Sequence, residues 1–153
     1  MTTLRICDYR ENGMLALDLR DLIDLLAPRS LEANWTVSPV RLIYSKLGPM
    51  DEFMMTGPGN PGQDQLEQLA ASGLSVSGAN LAEAAHEAWQ IIWGQFTAFL
   101  PERTDAWVVI RAIDSTFYEV TSSDEVALSA IRSTYNDVRV APGPANSTPI
   151  EHV

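Results

Sequence analysis

The run Trp107-Val108-Val109-Ile110-Arg111-Ala112-Ile113 constrains this chain more than any other stretch. It is almost wholly apolar and rich in β-branched residues, so it reads as a strand at the centre of a sheet with both faces covered. Phe117-Tyr118-Glu119-Val120-Thr121 follows with similar character. Between them lies Asp114-Ser115-Thr116, a turn-former because short polar side chains bond their own backbone. Runs joined so closely pair antiparallel, since a parallel pair needs a crossover of about a dozen residues or more.

Other segments extend this picture. Residues 4–10 alternate apolar and polar, and Asn12-Gly13 is a strong hairpin signal because a type I′ turn needs positive φ at both positions. Met14–Leu17 would be the return strand. Asp18 is typed as an N-cap, and Leu19, Leu22, Ile23 and Leu26 form the apolar stripe of a helix that Pro28 ends. Trp35–Val37 and Val40–Tyr44 look like strand, divided by Pro39. Residues 48–62 are crowded with glycine and proline and predict a loop, interrupted by Phe53, Met54 and Met55.

Gln63–Ala71 predicts a short helix stopped by Gly73, with a short strand at Leu74–Val76. Gly78–Trp93 predicts the second main helix, with Leu81, Ala85, Ala88, Trp89 and Ile92 on one face. Its spacing also permits continuation to Phe99, against a strand over Gln95–Leu100. Ser122 and Glu125 have capping-box spacing and open a third main helix, with Val126, Ile131 and Tyr135 on its buried side. Val138–Val140 predicts a last strand. The expected architecture is α+β, a mostly antiparallel sheet of about five to seven strands with about three to four helices packed mainly on one face. Residues 1–140 would form one globular domain and 141–153 a flexible C-terminal tail.

The net charge of −10 is unevenly spread. Between Lys46 and Arg103 there is no lysine or arginine, while Asp51, Glu52, Asp64, Glu67, Glu83, Glu87 and Glu102 all fall there. Such a surface repels phosphate backbones and anionic membranes, so no nucleic-acid or membrane partner is expected. No window approaches the ~18 apolar residues of a spanning helix. The single cysteine, Cys7, excludes an internal disulfide framework and a Cys-rich metal site, which fits a cytoplasmic setting.

Catalytic patterns are sparse. Glu83 and His86 have a spacing that di-iron bundles use, but those need a second such motif and two further carboxylates. Gly57-Pro58-Gly59-Asn60-Pro61-Gly62 lacks the Lys-Ser/Thr ending of a phosphate loop, and its prolines remove N–H donors. Asp18, Asp21 and Asp24 are explained by capping and solvation. Asp114 and Glu119 flank the predicted turn, and with His86 they are the residues an unfamiliar enzyme would use. No cofactor or metal is expected.

These features favour a small acidic non-catalytic protein that binds a basic protein partner. In composition, not in motif, it resembles immunity proteins and inhibitors of basic enzymes. The expected contact residues are Asp51, Glu52, Asp64, Glu67, Glu83 and Glu87, with Phe53, Met54 and Trp93 as apolar contacts. The alternatives are a structural subunit or homodimer, built on an edge strand or the Trp-bearing helix, and the carboxylate enzyme.

Overall fold

The computed structural model describes residues 1–42 and 50–141. Along the chain come β1 (Thr2–Ile6), α1 (Leu19–Leu25), α2 (Arg29–Glu32), β2 (Asn34–Ser38), β3 (Val40–Leu42), β4 (Met50–Glu52), β5 (Met54–Met55), α3 (Pro61–Ser72), β6 (Ser75–Ser77), α4 (Gly78–Glu87), β7 (Ile91–Phe99), β8 (Val108–Ile113), β9 (Phe117–Ser122), α5 (Glu125–Thr134) and β10 (Val138–Ala141). The main sheet has the order β10-β1-β9-β8-β7-β2-β6, with β5 also on β7, and each of its pairings is antiparallel. β3 and β4 form a separate two-stranded ribbon. The α+β architecture is the expected one, with a larger sheet and an added short helix, α2.

The β8–β9 hairpin forms where its sequence predicts it. Asp114 and Ser115 take φ of 53° and 59°, and the Thr116 N–H donates to Ile113 O at 2.8 Å. The Asn12-Gly13 turn forms too, but its return strand reduces to one bridge, Tyr9 with Leu15. β1 cannot take that run as a neighbour, because β9 and β10 already occupy both of its edges. The predicted loop at 48–62 contains β4, β5 and the start of α3. Residues 43–49 and 142–153, which include Lys46, His152 and nearly all of the expected tail, lie outside the described residues.

Helices α1, α3, α4 and α5 contribute to one core against one face of the sheet, through Leu19, Leu22, Ile23, Leu66, Leu81, Ala85, Leu128 and Ile131. The strands answer with Leu4, Ile6, Trp35, Phe96, Ile110, Tyr118 and Val120. A smaller cluster of Cys7, Val40, Ile113 and Phe117 sits on the other face, with Trp93 beside it.

The second main helix is shorter than predicted. It ends at Glu87, Ala88 is extended, and β7 begins at Ile91. The apolar residues from Trp89 to Phe99 fit either period, and pairing with β8 on one side and β2 and β5 on the other decides for strand. Trp89 and Ile92 therefore do not share a helical face with Leu81 and Ala85.

Candidate functional site

The acidic residues converge on two packed helices. Asn60 caps α3 by accepting from Gln63 N–H at 2.9 Å, Pro61 suits the first turn, and Gly73 ends the helix at φ 71°. Ser77 caps α4 by accepting from Asn80 N–H at 3.2 Å. The helices touch closely at Gly62, where a Cβ would lie 2.6 Å from both Ala84 O and Glu87 Cβ. Asn60 Nδ2 also donates to Glu87 O at 2.9 Å. Leu66, Leu81 and Ala85 face the core, so Asp64, Glu67, Glu83 and Glu87 are left exposed.

The remaining expected contact residues divide. Asp51 is exposed on β4 and pairs with Arg41 at 3.3 Å, and Glu52 is half-buried. Phe53 turns its ring edge to Phe96, at a centroid distance of 6.4 Å, over Gly94. Phe53 and Glu67 line one shallow hollow with Pro39, Ala70 and Ala71. Met54 and Trp93 are cross-strand neighbours on the other side of the sheet, where Trp93 packs with the cluster around Ile113 and Phe117. The exposed tryptophan next to the acidic helices is Trp89, 56% exposed and seated on Gly57. Its signal in the sequence was hidden by the helical spacing it shares with Ala85.

Charge composition sets the stretch that holds these helices apart. Residues 47–102 contain no lysine or arginine. Glu52, Asp64, Glu67, Glu83 and Glu87 form no ion pair with any described cation, as is also true of Asp8, Glu11, Asp21, Glu32, Glu102, Asp105 and Asp114, while Arg5, Arg20, Arg29, Arg41, Arg111, Arg132 and Arg139 pair with carboxylates elsewhere. His86 lies 2.9 Å from Asp24 of α1.

The groups an enzyme would have used lie in different places. Glu119 is fully buried, bound by Arg5 Nη2 at 2.8 Å and Nε at 3.1 Å, and by Arg111 Nη1 at 3.3 Å. Arg5 also lies 4.2 Å over the Phe117 ring. Burial pulls the Arg111 guanidinium below its ordinary pKa, with Glu119 pulling the other way. Asp114 belongs to the hairpin turn and His86 to α4. Burial pushes the Cys7 thiol up, away from a reactive thiolate. Among the described residues no group of His, Cys, Asp and Glu could hold a metal ion, and no described helix is long and apolar enough to cross a membrane.

A second feature lies where the β7–β8 turn meets α1 and α5. Arg29 Nη1 and Trp107 Nε1 each donate to Asp124 Oδ2 at 2.8 Å, and Val126 N–H donates to Asp124 Oδ1 at 2.9 Å. Burial pushes Asp124 up, but the hydrogen bonds from Trp107 and Val126 and the charge of Arg29 outweigh it and hold the carboxyl below its usual range. Asp124 is thus the cap of α5. Ser122, the expected cap, instead donates to Trp107 O at 2.6 Å and accepts from Asp124 N–H at 3.0 Å. Two hollows of about 230 and 240 Å³ flank this network and share Arg29, Trp107 and Asp124. No protein family, characterised protein or solved structure matches this chain.

Proposed function

We propose that this chain is a small, cytoplasmic, non-catalytic binding protein whose α3–α4 face engages a basic protein partner. The observation that carries the reading is the set of exposed carboxylates at Asp64, Glu67, Glu83 and Glu87 on two helices packed together, in a stretch of chain without lysine or arginine. Like charges left unneutralised on adjacent helices repel one another and weaken the fold slightly. A basic surface would relieve that repulsion and associate quickly. Trp89 and the Phe53 hollow lie next to the charges and supply apolar contact.

The test is capture from native lysate with elution in rising salt, followed by affinity measurement on the purified partner. A basic protein released by moderate salt, and bound at least about tenfold more weakly by Glu83→Lys/Glu87→Lys, supports the reading. No basic partner, or one indifferent to that reversal, sinks it.

Self-association is the second reading. It is favoured by β10, which no described strand covers on its outer edge and whose Val140 is 76% exposed. Light scattering across a concentration series, with Val140→Lys as control, separates this dimer from the acidic-face binder.

A further inference from the structure

We propose that the two hollows at Asp124 form one binding site for a small apolar amino acid. Each alone falls short of the roughly 300 Å³ at which small-molecule sites begin, and they share Arg29, Trp107 and Asp124 as a common rim that a ligand lying across it would span. One hollow is apolar, walled by Leu25, Leu26, Pro28, Val126 and Ala130. The other is polar and carries Arg103 and Asp105. A ligand filling both needs an apolar end and a charged end.

The charged end is specified by what remains unpaired. Asp124 is already committed to Arg29, Trp107 and Val126 N–H, so it presents little free charge. Arg103 and Asp105 are both exposed, line the same hollow, and pair neither with each other nor with any other described residue. One free cation and one free carboxylate complement a zwitterion: the ligand carboxylate meets Arg103 and its ammonium meets Asp105.

The turn that presents them is held in a costly conformation. Arg103 N–H donates to Leu100 O at 3.1 Å, and Glu102 has φ 66°. This is the type II position that favours glycine, preceded by a proline suited to the position before it. A glutamate kept there fixes the direction in which Arg103 leaves the turn, and strain of this kind gathers at ligand sites.

The site is tested by titrating the ¹⁵N-labelled full chain with L-phenylalanine and L-leucine. The Trp107 indole N–H, assigned by its loss in Trp107→Phe, is the reporter because it lies in the wall common to both hollows. Saturable movement of that resonance is expected. Glycine lacks the apolar end, 3-phenylpropionate the ammonium and phenethylamine the carboxylate. Each should bind at least about tenfold more weakly, the worth of one lost charge-assisted hydrogen bond or apolar anchor. Arg103→Ala on the exposed turn, and Ala130→Phe filling the apolar hollow, should each weaken binding similarly, with the remaining resonances unchanged. No saturable shift with either amino acid would overturn the proposal, as would equal binding of 3-phenylpropionate or glycine, or indifference to both substitutions. These residues are separate from the α3–α4 carboxylates, so neither result bears on the basic-partner reading.

Discussion

On the helix-covered face of the sheet, the central cross-strand row runs Val140, Leu4, Val120, Ile110, Phe96, Val37, apolar from edge to edge. On the opposite face the neighbouring row runs Arg139, Arg5, Glu119, Arg111, Gln95, Ser38. Beside it lies a row of hydroxyls, Thr3, Thr121, Thr97 and Thr36, broken only by Val109. Both faces bury residues: Glu119 is as inaccessible as Ile110. The faces differ in what holds them. The covered face relies on non-directional packing and tolerates small shifts. The opposite face combines the smaller apolar cluster around Ile113 and Phe117 with charges whose burial is favourable only while each partner is present.

The sharpest way to break this comparison is to remove the shared anion. Glu119→Ala leaves Arg111, 5% exposed at its side chain, without its counter-charge. Removing one partner of a buried pair costs about 3–5 kcal/mol, and urea unfolding at pH 7 should show a loss of that size. Replacing Arg111 and Glu119 together by Met and Leu should recover most of it, because Arg5 can still reach water. A loss under about 1 kcal/mol for the single change would mean that water already screens Glu119.

Val109 and Ile110 give the comparison within one strand. Ile110 is fully buried on the covered face, and Val109 is half-buried among threonines on the other. Ile110→Thr loses apolar volume and strands a hydroxyl among hydrocarbons, which costs about 2–4 kcal/mol. Val109→Thr completes the hydroxyl row and should stay within about 0.5 kcal/mol. Equal effects by thermal unfolding would show that the two faces are equally dry.

Asp18 is the exception on the covered side. Its Oδ1 is buried without a hydrogen-bond partner among the described residues, and burial, only partly offset by Arg20, pushes its pKa from 3.8 up to about 6. The folded state therefore holds the proton more tightly than the unfolded one. The resulting stabilisation is complete below pH 3.8 and is lost as the pH rises through about 6. The shift corresponds to on the order of 2 kcal/mol after allowance for the exposed fifth of the side chain. Asp18→Asn keeps a good N-cap, so it should be more stable than the parent at pH 7 and should lack that pH dependence. Unfolding free energies at pH 4 and pH 7 decide it, and an unchanged slope would show that Asp18 is solvated.

Much of the covered face was legible in the sequence, and the opposite face was not. Leu19, Leu22, Ile23 and Leu26 announced α1, and the 107–121 hairpin announced the sheet centre, because periodicity records burial against hydrocarbon. Arg111 inside an apolar run and Glu119 inside the next gave no local sign of facing each other, since that depends on register. The acidic stretch was visible as composition, but its gathering onto α3 and α4 required the contact at Gly62. The exchange of Trp93 for Trp89 as the exposed ring followed from strand pairing that no window of sequence contains. The Asp124 hollows join residues from α1, the β7–β8 turn and α5; Leu26, Pro28, Trp107 and Val126 were legible only as helix or strand residues, and Val126, expected on the buried side of its helix, is exposed.

Register itself can be tested at the smallest scale. The Ile113 to Thr116 turn places two residues, Asp114 and Ser115, in the left-handed region, the type I′ geometry best served by Asn-Gly. That turn aligns Arg111 with Glu119 and Ile110 with Val120. A slip of one residue would carry Glu119 to the covered face and Val120 out of it. The left-handed conformation costs a non-glycine residue about 1–2 kcal/mol, part of which glycine returns as unfolded-state entropy. Ser115→Gly should therefore stabilise the fold by about 0.5–1 kcal/mol, and it should slow hydrogen exchange at Ile113 and Thr116. If the substitution instead destabilises, the charge row rather than the turn fixes the register. Glu119→Ala would then broaden the β8–β9 amide resonances as well as lower stability.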